Sequence, residues 1–273
     1  MALIEVNFWA KTLRKIVPFM AAIPDDPDLI IGREDKPLPN EYPTLYLLNG
    51  YKDNYTSWFN NTRIHELSKK YGIAIVAPSG DNSFYVDDPD KMEFYGEFIG
   101  QELVEYTRHL LPLSTKREDT FIGGLSMGGY GAMRNGLKYR DHFSKILSFS
   151  AAYIIMEMAD AGEPNGNGLT PASYLTRIFG DFKKLRQSDL DPRFLVEQIQ
   201  KEGKKVPDVF MTIGAQDALL LDSNHMYRDF LKEKGVDVTY MEDEGMHTWD
   251  FWNKHLEEAI IWLGMKPQKI TSI

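Results

Sequence analysis

The chain has 273 residues and 43% hydrophobic content, enough for one large α/β domain or two small ones with a sizeable core. A net charge of −9 and the lack of a dense Lys/Arg stripe argue against a nucleic-acid partner, and KEGKK at 201–205 reads as a solvated helix end. With no cysteine in the chain, disulfides, thiolate metal sites and cysteine nucleophiles are excluded.

In chain order, ALIEVNFW and KIVPFMAAIP read as an opening antiparallel pair of strands. The stretch IVPFMAAI at 16–23 follows Lys11, Arg14 and Lys15 as a secretion leader would. Pro18 and the PDDPD that follows, with no small-residue cleavage site, argue against that alternative. No run of about 18 apolar residues occurs, so no membrane span is expected, and the cytoplasm is the expected compartment. The acidic, proline-rich segment 24–43 then connects to the buried strand TLYLL, a helical segment at 58–70 and the apolar strand IAIVAP at 73–78. A helix at 98–111, the strand FIGG, a helix after Ser126 and the strand KILSFSA at 145–151 follow. The chain closes with the strand VFMTIG at 209–214, a helix at 223–234, the strand VDVTYME and an amphipathic helix from Trp249 to Leu263. This alternation predicts an α/β fold, a mostly parallel sheet with helices on both faces. Residues 152–206 break the rhythm: they carry DAGEPNGNGLTPAS and no convincing central strand. A small helical cap beside the site is expected there, with a plain surface excursion as the alternative.

The glycine cluster FIGGLSMGGYGA at 121–132 surrounds a single serine, Ser126. Gly124-Leu125-Ser126-Met127-Gly128 fits G-x-S-x-G, the sharp strand-to-helix turn that lifts a serine hydroxyl clear of the backbone. A bare match is weak; strand before and helix after are the context that raises it above an ordinary glycine loop. A serine hydroxyl is a poor nucleophile near neutral pH and needs a base, which in turn needs an orienting acid. In chains with such an elbow the order is Ser, Asp or Glu, then His. His247, in EDEGMHTWDFW directly after a strand, is the candidate base, whereas His225 and His255 fall inside predicted helices and read, like His65, His109 and His142, as surface or packing residues. Asp217, at the end of VFMTIG-Ala215-Gln216, is the candidate acid. Asp222 is the reserve, although it reads more simply as a helix N-cap, and Asp250 would leave the strand-end position empty.

Two backbone N–H groups are then needed where charge develops on the attacked carbonyl oxygen. The amide of Met127 is one candidate and that of Tyr51, in Asn49-Gly50-Tyr51-Lys52 after TLYLL, is the other. Gly50, Tyr85 and Trp249 are candidates for the substrate pocket, with Tyr51, Trp58 and Phe84 as weaker aromatic ones that could equally be core. An imidazole base predicts activity that falls on the acid side as the ring takes a proton.

With these residues in order, the chain resembles the α/β-hydrolase esterases of the esterase D type, and among them the bacterial tributyrin esterases. The likeness rests on LYLLNGYKDNYTSW, APSGDNSFYVDDP, FIGGLSMGGYGAMRNGLKYRDHF, TIGAQD and GMHTWDFWNKHL. It implies hydrolysis of short-acyl carboxylic esters through an acyl-serine, with Ser126, Asp217 and His247 as triad and neither metal nor organic cofactor. A small-molecule ester is the implied partner. Feruloyl esterases, S-formylglutathione hydrolases and acyltransferases share the family, so the resemblance leaves the substrate open, and a catalytically silent binding protein is the alternative outside enzymes. Family members commonly carry histidine before the glycine of the oxyanion loop; this chain carries Asn49.

Overall fold

Eight strands form one sheet in a computed structural model that describes residues 1–24, 39–166, 168 and 170–268. They are β1 (Ala2–Ala10), β2 (Lys15–Ile23), β3 (Thr44–Leu48), β4 (Ala74–Pro78), β5 (Thr120–Leu125), β6 (Lys145–Phe149), β7 (Asp208–Gly214) and β8 (Val238–Asp243). Their spatial order is β1-β2-β4-β3-β5-β6-β7-β8. The β1–β2 and β2–β4 pairs are antiparallel and every pairing from β4 to β8 is parallel. This is the α/β-hydrolase fold.

Period-two alternation on the central strands explains why the sheet is covered twice. Along β3, Tyr46 and Leu48 enter one apolar core while Leu45 and Leu47 enter the other. Val209 and Met211 oppose Phe210 in the same way on β7. The first core is closed by Met133 and Leu137 of the helix Met127–Lys138 and by Tyr227 and Leu231 of Leu221–Glu233. Ile64 and Leu67 of Ile64–Tyr71 close the second, with Leu256 and Ile260 of Trp249–Trp262.

Several boundaries differ from the expected ones for local reasons. The helical segment 58–70 is two helices, Ser57–Asn61 and Ile64–Tyr71, because Thr62 is extended. The helix expected over 98–111 opens as a π-helical turn, Phe98–Glu102, before Leu103–Leu110. The strand expected over 145–151 stops at Phe149, where Ser150 turns to φ 42°. Residues 16–23 are interior β2, paired on both edges. Most of the acidic connection 24–43 lies outside the described residues. A short antiparallel ribbon, Asp87–Asp88 with Glu93–Phe94, had no sequence signal.

Gly124 and Gly128 are bare because backbone passes where their Cβ atoms would be, while at Gly123 and Gly131 the side chains of Leu147 and Tyr85 take that space. A Cβ on Gly124 would sit 2.3 Å from the carbonyl oxygen of Gly128, and one on Gly128 would sit 2.4 Å from that of Leu48 and 2.6 Å from that of Asn49. The elbow helix therefore packs directly on the loop after β3.

Residues 152–206 contain the helices Ile154–Ala161, Ala172–Phe179, Phe182–Leu185 and Pro192–Lys201 and no strand among the described residues. Arg193 ties the first of these helices to the last: its guanidinium donates to Asp160 at 2.7 and 2.9 Å, to Asp191 at 2.7 Å and to the Met156 carbonyl at 3.1 Å. Asp191 also caps the helix Pro192–Lys201 through Arg193 N at 2.9 Å. Burial opposes the guanidinium charge, yet the two carboxylates outweigh it and hold the proton more tightly than in a free arginine.

Two stability outcomes follow from this packing. Gly128→Ala should lower unfolding free energy by roughly 1–3 kcal/mol in urea titration, since neither facing carbonyl can retreat, whereas Gly168→Ala, with nothing among the described residues within 4 Å, should change it by less than about 0.5 kcal/mol. Arg193→Met leaves the Asp191 carboxylate, 1% exposed, without its counter-charge and should cost about 3–5 kcal/mol in the same assay.

Candidate active site

Ser126 links β5 to the helix Met127–Lys138 with φ 54° and ψ −118°, a backbone state that non-glycine residues hold only under constraint. Three backbone hydrogen bonds supply that constraint. Its N–H donates to the Phe149 carbonyl at 2.9 Å, and its carbonyl accepts from Tyr130 at 3.1 Å and Ala152 at 3.0 Å. The half-buried side chain stands at the mouth of an apolar pocket.

At the same carboxyl edge of the sheet, the turn after β7 and the loop after β8 are laced together. Gln216 N donates to the Gly245 carbonyl at 2.9 Å, and Gly245 N donates back to Gln216 Oε1 at 2.7 Å. That lacing brings His247 Nδ1 to 2.7 Å from Asp217 Oδ2. Asp217 is almost fully buried, and its other oxygen accepts from Leu220 N at 3.2 Å. An ionised Asp217 assigns the proton to Nδ1 and leaves Nε2 as an acceptor. Among the described residues no hydrogen bond joins Ser126 Oγ to His247. Unliganded hydrolytic sites commonly leave that bond long until substrate binds.

The other candidates for base and acid lie outside this pair. His225 pairs with Glu242 at 2.6 Å, and the buried His255 meets Glu258 at 2.8 Å. Asp222 is not the N-cap; it lies in the first turn of a helix whose cap position is Leu220. Asp250 sits in the first turn of Trp249–Trp262. No cluster of three or more His, Asp or Glu that could hold a metal ion occurs among the described residues, and none of their helices is long and apolar enough to cross a membrane.

The loop after β3 comes close to the serine: a Cβ on Gly50 would lie 3.7 Å from that of Ser126. Among the described residues the amides of Tyr51 and Met127 donate to no protein acceptor. For Met127 this follows from its place as the first residue of a helix, whose leading N–H groups have no partner within it. The loop's shape is set by Asn49, a role that sequence reasoning missed. Asn49 Oδ1 lies 3.2 Å from Gly80 N and 3.0 Å from Tyr85 Oη, its Nδ2 donates to the Gly50 carbonyl at 2.8 Å, and the residue is 1% exposed. An N-G pair reads as a turn, and only the distant partners reveal the buttress.

The pocket at Ser126 is a cavity of about 60 Å³ walled by Tyr51, Phe84 and Met127 on one side and by Ile155, Met158 and Leu175 of the 152–206 segment on another. Tyr85 does not line it. The ring is fully buried behind the loop, and burial pushes the phenol well above its ordinary value. Trp249 is not a wall residue either; its indole meets Trp58 and Trp252 edge-to-face. Gly50 is adjacent to Ser126 without facing the cavity.

Comparison with known proteins agrees with this architecture. The chain is 44% identical over 265 residues to an acetyl esterase of Caldicellulosiruptor saccharolyticus, covering 96% of this chain and 98% of that protein. Among solved structures, fluorophosphonate-binding serine hydrolase F of Staphylococcus aureus superposes with a TM-score of 0.82 at 26% identity, over 97% of this chain and 99% of that one. An S-formylglutathione hydrolase of the same species gives 0.81 at 26% identity, over 96% and 98%. Residues 35–263 match the esterase family described as Putative esterase, and the chain, an esterase of the α/β-hydrolase fold, belongs to that family.

Proposed function

We propose that this esterase is a serine carboxylesterase of short-chain acyl esters, akin to the esterase D-type and tributyrin esterases that its motifs resemble. The observation that carries the reading is the 2.7 Å Asp217–His247 pair, at the same sheet edge as a serine held in an elbow. In this reading His247 Nε2 takes the Ser126 proton as Oγ attacks the ester carbonyl carbon, and the carbonyl π pair moves to oxygen. The amides of Met127 and Tyr51 stabilise that oxyanion, helped at Met127 by the positive end of its helix. Collapse expels the alcohol, which takes the proton from His247. Water then repeats the sequence on the acyl-serine and releases the acid. Asp217 keeps the imidazole in the tautomer both halves need.

The cavity favours a small acyl group. At about 60 Å³ it is a small, mostly apolar space beside Ser126. The 44%-identical acetyl esterase supports the same preference. The helices of 152–206 act as a cap that walls this cavity from the outside. Thioester hydrolysis is the second reading, favoured by the S-formylglutathione hydrolase neighbour; transfer to an alcohol acceptor would use the same acyl-serine.

Hydrolysis of p-nitrophenyl acetate, butyrate and octanoate, a feruloyl ester and S-formylglutathione separates these possibilities. The account expects kcat/KM to be highest for acetate or butyrate and to fall steeply at octanoate. Ser126→Ala should lower turnover of every substrate by at least about 1000-fold. Octanoate as the best substrate, or an active Ser126→Ala enzyme, would contradict it.

A further inference from the structure

Three tryptophans connect the two loops of the site. Trp58 Nε1 donates at 3.0 Å to the carbonyl of Leu48, the last residue of β3 before Asn49-Gly50-Tyr51. Its ring meets Trp249 edge-to-face with centroids 5.4 Å apart at 88°. Trp249 meets Trp252 at 5.2 Å and 85°, and Trp252 meets the imidazole of His247 at 4.9 Å and 88°. Trp252 Nε1 then donates to Ser150 Oγ at 3.1 Å. Ser150 follows Phe149, whose carbonyl accepts the Ser126 N–H and whose ring packs on Trp58 at 5.8 Å. The circuit closes on itself, touching the oxyanion loop, the elbow and the histidine once each.

Ser150 is the unusual member. It is fully buried and holds φ 42°, a conformation glycine adopts more readily. What serine supplies there, and glycine would not, is an acceptor for the indole N–H, a buried donor otherwise left unsatisfied. The indole in turn meets a need that Asp217 alone leaves open. One hydrogen bond at Nδ1 fixes a point on the imidazole, while the direction of Nε2 depends on the tilt of the ring about that bond. A perpendicular indole against the imidazole, the preferred geometry for aromatic neighbours, restricts that tilt.

We propose that Trp252, anchored by Ser150, is a positioning residue that sets the direction of His247 Nε2 toward Ser126, and that Trp249 and Trp58 tie this direction to the oxyanion loop. The inference rests on Ser126 and His247 acting as proposed above. It differs from a packing role in where the loss appears: misdirecting the base lowers kcat and kcat/KM together and leaves KM unchanged.

The test uses p-nitrophenyl acetate kinetics and urea unfolding on Ser150→Gly, Ser150→Ala, Trp252→Phe, the double variant Ser150→Gly/Trp252→Phe, and Ser126→Ala. Each of the three single changes at 150 and 252 should lower kcat by roughly 10-fold with KM within about twofold, since small misplacement of a reacting group carries losses of that order. The double variant should be no slower than the slower single one, because both remove the same hydrogen bond. Ser150→Gly should unfold at higher urea than Ser150→Ala, as glycine fits the positive φ, while their kcat values match. Wild-type kcat in Ser150→Gly and Trp252→Phe, multiplying losses in the double variant, or kcat that follows the urea midpoints would overturn the inference even with Ser126→Ala dead. An active Ser126→Ala enzyme would instead overturn the underlying reading, and this inference with it.

Discussion

The backbone of Ser126 is the constraint on which the site's construction turns. Holding a non-glycine residue at φ 54° costs on the order of 1–3 kcal/mol, so the surroundings must over-determine it. They do so with three backbone hydrogen bonds, to Phe149, Tyr130 and Ala152, that reach across β6 and into the elbow helix. Those bonds form only if helix and strand approach more closely than side chains allow, which is why Gly124 and Gly128 carry none. The same close approach presses the helix against the Leu48 and Asn49 carbonyls. One steric requirement thus sets both the serine and its distance to the loop that supplies Tyr51.

A second strained segment supports the first. Asp81, Asn82, Phe84 and Tyr85 all have positive φ, and the run is pinned from several directions. Asn135, on the elbow helix, donates to the Tyr85 carbonyl at 3.0 Å, and Asn82 Oδ1 accepts from Lys52 N at 2.7 Å in the loop after β3. Tyr174 of the 152–206 segment donates to the Asn82 carbonyl. Three parts of the chain far apart in sequence therefore share one small polar junction. The aromatic circuit through Trp58, Trp249 and Trp252 links His247 to the same loop.

Much of this was legible in sequence, and the reasons differ by element. Parallel strands buried on both faces appear as short apolar runs, so TLYLL, IAIVAP and VFMTIG could be read directly. The elbow was legible because G-x-S-x-G is a steric signature, and Asp217 and His247 because chain order and strand ends narrow the choice. Other features depend on distant partners. Nothing in N-G shows that Asn49 meets Gly80 and Tyr85. Aromatic composition does not say whether Trp249 faces a cavity or two other indoles. Tyr85 invited a pocket role through its position in APSGDNSFY, but its φ of 57° turns the ring beneath the loop. That 152–206 lacks a strand among its described residues was visible, whereas the Arg193 clamp on Asp160 and Asp191 is a tertiary fact.

The most direct test of the account is identification of the acylated residue. The enzyme is mixed with excess p-nitrophenyl acetate, quenched in acid during turnover and mapped by peptide mass spectrometry. The account predicts a single acetyl adduct, on the hydroxyl of Ser126, that is absent from Ser126→Ala and accumulates when His247→Ala slows deacylation more than acylation. An acetyl group on another residue during turnover, or continued turnover by Ser126→Ala with no adduct at position 126, would contradict it.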